Sequence, residues 1–300
     1  MTTDLVRLIE RFGSEDKCRE CLETMRWPHG VKCPRCQSDK ISRILARHQF
    51  DCDACRYQFS VTAGTVFNDS HLPLWKWFLA AYLLCESRKG MSANQLKRVL
   101  GLGSYKTAWY LCQRIRSAMR EASHTKLDGV VEIDETYIGG KKRGSETGRG
   151  RGVDGKETVI GIRQRGGDVR YIHTASLTSD TLYKLIHENV SEDASAIMTD
   201  EFPGYPGAMG TDFKDKHHTI RHKDKVYVRG EVHTNTVESA FSLFKRGVIG
   251  TWHQVSAKHL QRYLDEMQFR FNRRKSEVLF EDTLRHMVSA PVLTFQNLTA

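Results

Sequence analysis

The cysteines constrain this chain more than any other feature of its sequence. Six of the eight cysteines form three C-x-x-C pairs near the N-terminus, Cys18/Cys21, Cys33/Cys36 and Cys52/Cys55. Fifteen residues separate the second pair from the third, and this is the spacing of a four-cysteine zinc site. We therefore predict a small ribbon with one structural Zn²⁺ whose ligands are Cys33, Cys36, Cys52 and Cys55. Four sulfur ligands leave no coordination position for water.

The first cysteine pair is of a different kind. Cys18 and Cys21 lie three residues apart in a charged stretch with helical character, so they share one helix face. A second metal ion would need two more ligands, and His29 and His48 are the nearby candidates. We favour a packing role for two ordinary reduced cysteines, and metal ligation stays the alternative.

Length and charge limit the class of protein. A chain of 300 residues is long enough for two domains, or for one large domain with a small appendage. Hydrophobic residues make up 39% and charged residues 27% of the sequence, which indicates packed cores and not bulk disorder. A net charge of +10 favours a polyanionic partner, with nucleic acid first and an anionic membrane surface second.

Neither export nor membrane insertion is indicated. The N-terminal stretch MTTDLVRLIERFG contains no long apolar run, so it is not typical of a signal peptide. The most apolar stretch, Leu72 to Cys85, is interrupted by Lys76 and is shorter than the roughly 20 residues of a membrane-spanning helix. We expect a soluble, cytoplasmic protein whose thiols stay reduced.

The segment after the ribbon is predicted to be helical. Apolar residues recur there at spacings of three and four, at Leu72, Trp75, Leu79, Tyr82 and Leu83. Ser92 is placed to cap a short helix that ends near Leu100, and a longer helix follows a glycine turn from about Tyr105. This is a helix-turn-helix pattern, and its second helix carries Lys106 and Arg114 as candidate DNA contacts. The alternative is a helical hairpin with a solvated basic face.

The chain beyond Leu127 predicts a mixed sheet with helices. The predicted elements are three strands, a helix and a fourth strand, at 130–140, 157–163, 169–175, 180–190 and 195–199. The first three strands resemble an antiparallel meander. The fold class is therefore α/β, with a zinc ribbon and a helical segment ahead of a mixed-sheet domain.

Two aspartates stand out in this part of the chain. Asp134 lies inside an apolar strand and Asp200 ends another, and buried carboxylates are costly unless a cation compensates them. Together they are typical ligands of Mg²⁺ or Mn²⁺. Each has a glutamate neighbour, Glu135 or Glu201, but adjacent strand residues face opposite sides, so at most one of each pair should reach a shared centre. We favour the aspartates.

A third carboxylate is open to two interpretations. Glu238 lies in the first turn of a predicted helix, where it supplies either a third metal ligand or the partner of Asn235 in a capping box. Lys245 follows two helical turns later and projects on the same side. It could contact a phosphate beside the metal or be a surface charge.

Further cations lie in a glycine-rich loop that follows the first strand. The loop from Gly139 to Gly152 carries Lys141, Lys142 and Arg143, which predict an arm that follows a phosphate backbone and becomes ordered on binding. A solvated hairpin loop is the alternative.

Six motifs together resemble one protein family. The motifs CPRC, CDAC, SYKTAW, EIDETYIGG, MTDEFPGY and HTNTVESAFSLFKRG are similar to those of the zinc-ribbon, ISXO-like group of bacterial insertion-sequence transposases. These are DDE-type enzymes with an RNase H-like catalytic domain, and the resemblance runs from about Arg11 to Arg274. It implies that Asp134, Asp200 and Glu238 are the catalytic triad, with Lys245 at the position of a lysine that contacts terminal DNA.

The resemblance also implies an activity and its partners. Three carboxylates would hold two Mg²⁺ ions for in-line displacement at phosphorus, so that element ends are nicked and the freed 3′-hydroxyl attacks target DNA. Double-stranded DNA is the expected partner, and we expect a homo-oligomer on DNA. The alternatives are a DNA-binding regulator with an inactive transposase domain and a nuclease that cuts without joining. A membrane-surface protein is a more distant alternative, because no separate basic amphipathic anchor is present.

The predicted domain organisation has four parts. They are an N-terminal helix with the zinc ribbon, a helical DNA-binding segment, an RNase H-like catalytic domain and a C-terminal tail, at residues 1–66, 67–125, 126–275 and 276–300.

Overall fold

A computed structural model describes residues 4–121, 124–139, 156–220 and 233–300 of the chain. The chain divides into two compact units. The N-terminal unit is Met1–Arg120 together with Arg273–Ala300, and the C-terminal unit is Glu121–Asn272. The mixture of helices and sheets confirms the predicted α/β class.

The ribbon in the N-terminal unit is a three-stranded antiparallel sheet. Helices α1 and α2 precede strands β1, β2 and β3, with bounds Leu5–Phe12, Glu15–Arg26, Ile41–Ile44, Gln49–Cys52 and Gln58–Phe59. The rings of Phe50 and Phe59 pack against Trp27, at centroid distances of 5.3 and 5.9 Å. The ribbon core consists of little more than these rings and two cysteines, so it is too small to fold well without further support.

Three helices follow the ribbon, and the second and third begin where the sequence predicts. Helices α3, α4 and α5 span Leu74–Glu86, Ala93–Val99 and Tyr105–Ala118. Ser92 caps α4 by accepting the Gln95 N–H, and Ser104 caps α5 by accepting the Thr107 N–H. The glycine turn between α4 and α5 is where the sequence places it.

The C-terminal residues differ from the predicted tail. They form α10, Leu279–Ser289, and α11, Phe295–Thr299, and α10 packs on α2, α3 and α5 of the N-terminal unit. Phe280 contacts the rings of Phe12 and Phe78. The physical reason is an amphipathic face on α10, whose buried residues recur at helical spacing.

The C-terminal unit has the strand and helix order that the sequence predicts. Its elements in chain order are β4 Val130–Ile138, β5 Glu157–Gln164, β6 Val169–Thr174, α6 Ser179–Asn189, β7 Ala196–Thr199, α7 Gly204–Ala208, β8 His217–Thr219, α8 Asn235–Gly247 and α9 Ala257–Asn272. The strand order in the sheet is β6-β5-β4-β7-β8. Strands β4, β5 and β6 pair antiparallel, β7 pairs parallel with β4, and β8 pairs parallel with β7. This is an RNase H-like sheet, and β8 was not predicted.

Helices cover both faces of this sheet. On one face, Val131, Ile133 and Ile197 pack with residues of α6 and α7. On the other face, Tyr171 packs with α8 and α9 in a second core. Because strand residues alternate between faces, β4 directs Glu132 and Asp134 toward the face that α8 covers.

The close approach of α8 to the sheet depends on Gly161. This glycine of β5 pairs with Asp134 of β4, and a Cβ at this position would lie 2.5 Å from Phe241 Cζ and 2.9 Å from Val237 Cγ2. Only a residue without a side chain therefore lets α8 lie directly beside Asp134.

No helix in the described ranges is both long enough and apolar enough to cross a bilayer.

Gly161→Ala should destabilise the C-terminal unit, because the added methyl group would overlap buried atoms of α8. We expect a loss of about 1–3 kcal/mol, the usual cost of overpacking a core, measured by thermal or urea denaturation. Gly250→Ala is the control, since a Cβ there meets no atom within 4 Å. Equal stability of the two variants would contradict the close approach of α8.

Candidate functional site

The parallel pairing of β4 and β7 brings the two predicted aspartates together. Glu132 is in register with Met198, and Asp134 and Asp200 each lie two residues further along the chain. Their carboxylate oxygens fall within a group whose members all lie within 4.8 Å of one another. Asp200 Oδ1 also accepts the Phe202 N–H at 3.0 Å, which fixes the aspartate at the turn after β7.

Glu135 is the third member of this acidic group, and the sequence interpretation missed it. Strand alternation does direct Glu135 to the opposite face, where its Oε2 accepts the hydroxyl of the buried Tyr205 at 2.9 Å. Beyond Glu132, the last β4 residue that pairs with β7, however, its carboxylate still reaches the two aspartates. The expectation that at most one of Asp134 and Glu135 could approach a shared centre is therefore wrong.

Burial and neighbouring charges disfavour the ionised forms of Asp134 and Glu135. Burial, followed by the charges of Glu135 and Asp200, raises the pKa of Asp134 from 3.8 to about 8. Burial and the charge of Asp200 likewise raise the pKa of Glu135. A carboxyl group with the pKa of Asp134 needs a nearby cation to be fully ionised at neutral pH, so the oxygen donor set fits a hard divalent metal ion.

Glu238 lies outside the group of oxygens within 4.8 Å, although its charge also contributes to the raised pKa of Asp134. The Glu238 side chain is exposed in the first turn of α8, and its Oε1 accepts the Thr234 hydroxyl at 2.9 Å. The capping-box interpretation is wrong in its details. Thr234, not Asn235, is the N-cap residue of α8, and its side chain makes no capping hydrogen bond.

The four cysteines of the ribbon converge on one point, as predicted. The Sγ atoms of Cys33 and Cys55 are 3.6 Å apart, and those of Cys36 and Cys52 are 3.5 Å apart. A tetrahedral zinc ion with Zn–S bonds of about 2.3 Å would separate its sulfur ligands by roughly 3.8 Å. The thiols therefore fit a closed, four-sulfur site.

The two C-x-x-C turns of the ribbon have the same backbone geometry. In each, a residue with positive φ, Gln37 or Arg56, donates its N–H to the carbonyl of the first cysteine, at 2.9 and 2.7 Å. The Arg35 N–H also donates to Cys33 Sγ at 3.4 Å. Such turns bring both sulfurs of a pair to the same side.

Cys18 lies in a packed environment, and for both Cys18 and Cys21 the packing role stays a prediction. Cys18 is fully buried and donates its S–H to the Phe12 carbonyl at 3.2 Å, and burial raises its pKa to about 12. Burial also raises the pKa of Cys21. Among the described ranges, neither thiol belongs to a group of three or more metal-ligating side chains.

The predicted DNA contacts differ in where the structure places them. Lys245 is exposed in the last turn of α8, and Lys106 is exposed in the first turn of α5, where its ammonium lies 4.2 Å from the ring centroid of Phe295. The predicted loop contacts Lys141, Lys142 and Arg143 lie outside the described part of the chain, and they stay a prediction.

Arg114 has a different role from the predicted one. Its residue surface is only 3% exposed, and its guanidinium donates to the Asn68 carbonyl and packs over Trp77 and Tyr110. A side chain held in this way does not contact a phosphate backbone. The helix-turn-helix pattern in the sequence could not reveal that most sides of α5 are covered by other parts of the protein.

Comparison with known proteins agrees with this arrangement. Residues 126–272 match the ISXO2-like transposase domain, and residues 13–58 match the transposase zinc-ribbon domain. A relative from Halobacterium salinarum, described as an uncharacterized protein in transposable element ISH50, is 31% identical over 277 residues. The alignment covers 87% of this chain and 92% of the relative.

The fold and the site define a protein with an RNase H-like domain, a cluster of carboxylates at the end of its central strands and a four-cysteine ribbon. The chain belongs to the ISXO2-like transposase family.

The metal-free protein should lose stability as the pH rises toward 8. Asp134 binds its proton more tightly in the folded state, with a pKa of about 8, than in the unfolded chain, so stabilisation by this proton is present at low pH and is lost as the pH rises through the folded value. Each pKa unit corresponds to about 1.4 kcal/mol. Melting temperatures in EDTA should fall between about pH 5 and pH 8.5.

Asp134→Asn should flatten this pH dependence, because the amide does not titrate. Mg²⁺ should also restore the stability of the wild-type protein at the upper pH, since it neutralises the ionised group. Identical pH profiles for the wild type and Asp134→Asn would contradict the raised pKa.

Proposed function

We propose that this protein is a DDE-type transposase that binds insertion-sequence ends and catalyses metal-dependent cleavage and strand transfer of DNA. The observation that carries the proposal is the convergence of Asp134 and Asp200 at the end of the parallel pair β4 and β7. Carboxyl groups whose pKa values are raised by burial and by neighbouring charges, such as Asp134 and Glu135, are typical of functional sites. The acidic group is suited to hold divalent cations beside a phosphate.

Each acidic residue has a role in this proposal. Asp134 and Asp200 would hold the cations, and Glu238 of α8 would complete the set once its carboxylate turns away from Thr234. Bound Mg²⁺ or Mn²⁺ would activate the attacking water or 3′-hydroxyl and stabilise charge on the leaving oxygen. The buried Tyr205 keeps its hydroxyl proton, since burial raises its pKa well above the ordinary value, so it remains a donor to Glu135.

The DNA would lie along the exposed side of α8. Glu238 and Lys245 are both exposed there and are separated by two helical turns, or about 10 Å along the axis. A carboxylate at the metal and an ammonium at this separation could contact the reacting phosphate and a neighbouring one. Lys106, at the exposed start of α5, is the second proposed contact, in the position where a recognition helix meets DNA.

The ribbon would contribute a folded platform that depends on zinc. The sulfur geometry supports a bound Zn²⁺, with Cys33, Cys36, Cys52 and Cys55 as its ligands. Since the ribbon core is small, zinc binding would be coupled to folding. All four ligands are sulfurs, so the ion would have no part in the chemistry.

Asp134→Asn should abolish Mg²⁺-dependent cleavage and joining of DNA from the ends of the element, while DNA binding in EDTA remains within about twofold of the wild type. The amide keeps the shape of the aspartate but removes the charge that holds the cation. The measurement is a gel assay with labelled end fragments and a supercoiled target.

The products of this assay also separate the alternatives. Joined strands from the wild type alone support a transposase, and cut ends without joining would indicate a nuclease. DNA binding with neither reaction would indicate a regulator and would contradict the proposal. Glu157→Gln is a suitable control, since Glu157 is a β5 carboxylate that pairs with His173 at 2.7 Å and lies outside the acidic group.

Cys52→Ser should lower the zinc content of the purified protein from about one ion per chain toward zero and should expose the ribbon to proteolysis. Removing one of four thiolates leaves the tetrahedron incomplete. Cys18→Ser is the matched control and should keep its zinc. Zinc is measured by elemental analysis, and equal zinc contents in the two variants would contradict the ligand assignment.

A further inference from the structure

A second carboxylate of β4, Glu132, lies fully buried on the same face of the sheet as Asp134. Its Oε2 accepts three hydrogen bonds from the start of α8, from the Thr236 N–H at 2.9 Å, the Thr236 hydroxyl at 2.8 Å and the Val237 N–H at 3.0 Å. Its Oε1 accepts a hydrogen bond from Arg165 Nε at 2.7 Å. The carboxylate is therefore saturated with donors, and a full ion pair compensates its charge.

These contacts supply what α8 lacks at its own N-terminus. The first N–H groups of a helix have no partner within the helix, and the N-cap residue Thr234 makes no capping hydrogen bond with its side chain. Glu132 accepts from two of these N–H groups across a tertiary contact. Its negative charge also lies at the positive end of the helix dipole.

Two arginines, Arg163 of β5 and Arg165 just after that strand, complete the junction. Arg163 donates to the Thr236 carbonyl, and Arg165 donates to the His233 carbonyl at 3.0 Å. Arg163 is in register with Glu132 across the β4–β5 pair. The first turn of α8 is therefore held by donors and acceptors from two adjacent strands.

We propose that Glu132 is a positioning residue, which fixes the first turn of α8 in a place from which the Glu238 side chain can turn toward Asp134 and Asp200. This inference rests on the proposed role of Glu238 as the third carboxylate. Glu238 is the next residue after Val237, whose N–H Glu132 accepts, so displacement of this turn moves the Glu238 carboxylate directly. Glu132 itself has its oxygens engaged with α8 and Arg165 and does not bind the metal.

Glu132→Gln is the most direct test. The amide oxygen can still accept from the helix, but the amide NH₂ group would face Arg165, so the ion pair is lost and the junction loosens. Loss of a group that orients metal ligands typically costs 10- to 100-fold in metal affinity. We expect the dissociation constant for Mn²⁺, measured by electron paramagnetic resonance without DNA, to rise about 10-fold.

A double-mutant comparison distinguishes positioning from general stability. If Glu132 acts through Glu238, Glu238→Gln should weaken Mn²⁺ binding by a similar factor, and the double variant should be no weaker than Glu238→Gln alone. Multiplied effects in the double variant, or unchanged Mn²⁺ binding in Glu132→Gln, would overturn the inference. Glu157→Gln should bind Mn²⁺ like the wild type.

A milder variant covers the case in which Glu132→Gln does not fold. Thr236→Val removes one hydrogen bond to Oε2 but leaves the backbone contacts and the ion pair with Arg165. It should raise the Mn²⁺ dissociation constant about two- to threefold with an almost unchanged melting temperature. Wild-type affinity in this variant would count against the inference.

Mn²⁺ binding also distinguishes failure of the proposed function from failure of the positioning role. If the wild type does not bind Mn²⁺, or if Asp134→Asn binds it as well as the wild type does, the metal centre is wrong and the role of Glu132 falls with it. If Asp134→Asn loses Mn²⁺ while Glu132→Gln keeps wild-type affinity, the metal centre stands and only the positioning role is wrong.

Discussion

The docking of the first turn of α8 onto strands β4 and β5 is the interaction on which the candidate site depends. Two features of the strands act together there. Gly161 removes the steric barrier to close approach. The buried carboxylate of Glu132 accepts hydrogen bonds from two N–H groups in the first turn of α8. Because the glycine pairs with Asp134, both features act within two residues of the acidic group.

The acidic group itself is a source of instability in the metal-free protein. Burial and the neighbouring charges raise the pKa of Asp134 to about 8, so the Asp134 carboxyl keeps its proton at neutral pH. The closed sulfur site of the ribbon contrasts with this arrangement, since its geometry suits a permanent structural ion. In the proposed function, the ribbon site serves stability and the acidic site serves chemistry.

Much of this fold could be predicted from local signals. Short apolar runs that end at turn residues predicted β4, β5, β6 and β7, and Ser92 marked the start of α4 where the structure has it. The C-x-x-C spacing predicted the sulfur cluster. Each of these signals lies within a short stretch of chain, so neither a partner element nor a face of the sheet had to be known.

The errors concern long-range packing. The charge of Arg114 resembles that of a DNA contact until α3 and the segment around Asn68 are placed against it. Glu135 lies beyond Glu132, the last β4 residue that pairs with β7, and its carboxylate reaches the aspartates from there. Glu132 differs from its acidic neighbours because the start of α8 lies against it. Its spacing of two residues from Asp134 could have predicted that both side chains lie on one face of the sheet.

The most direct test of the central claim is a crystal structure with Mn²⁺ and an end fragment of DNA, with the metal located by anomalous diffraction. We predict a manganese peak between Asp134 and Asp200, with the Glu238 carboxylate turned toward it and Glu132 still bonded to the start of α8. A peak held by Glu135 in place of Glu238, or an α8 that has moved away from Glu132, would contradict the claim.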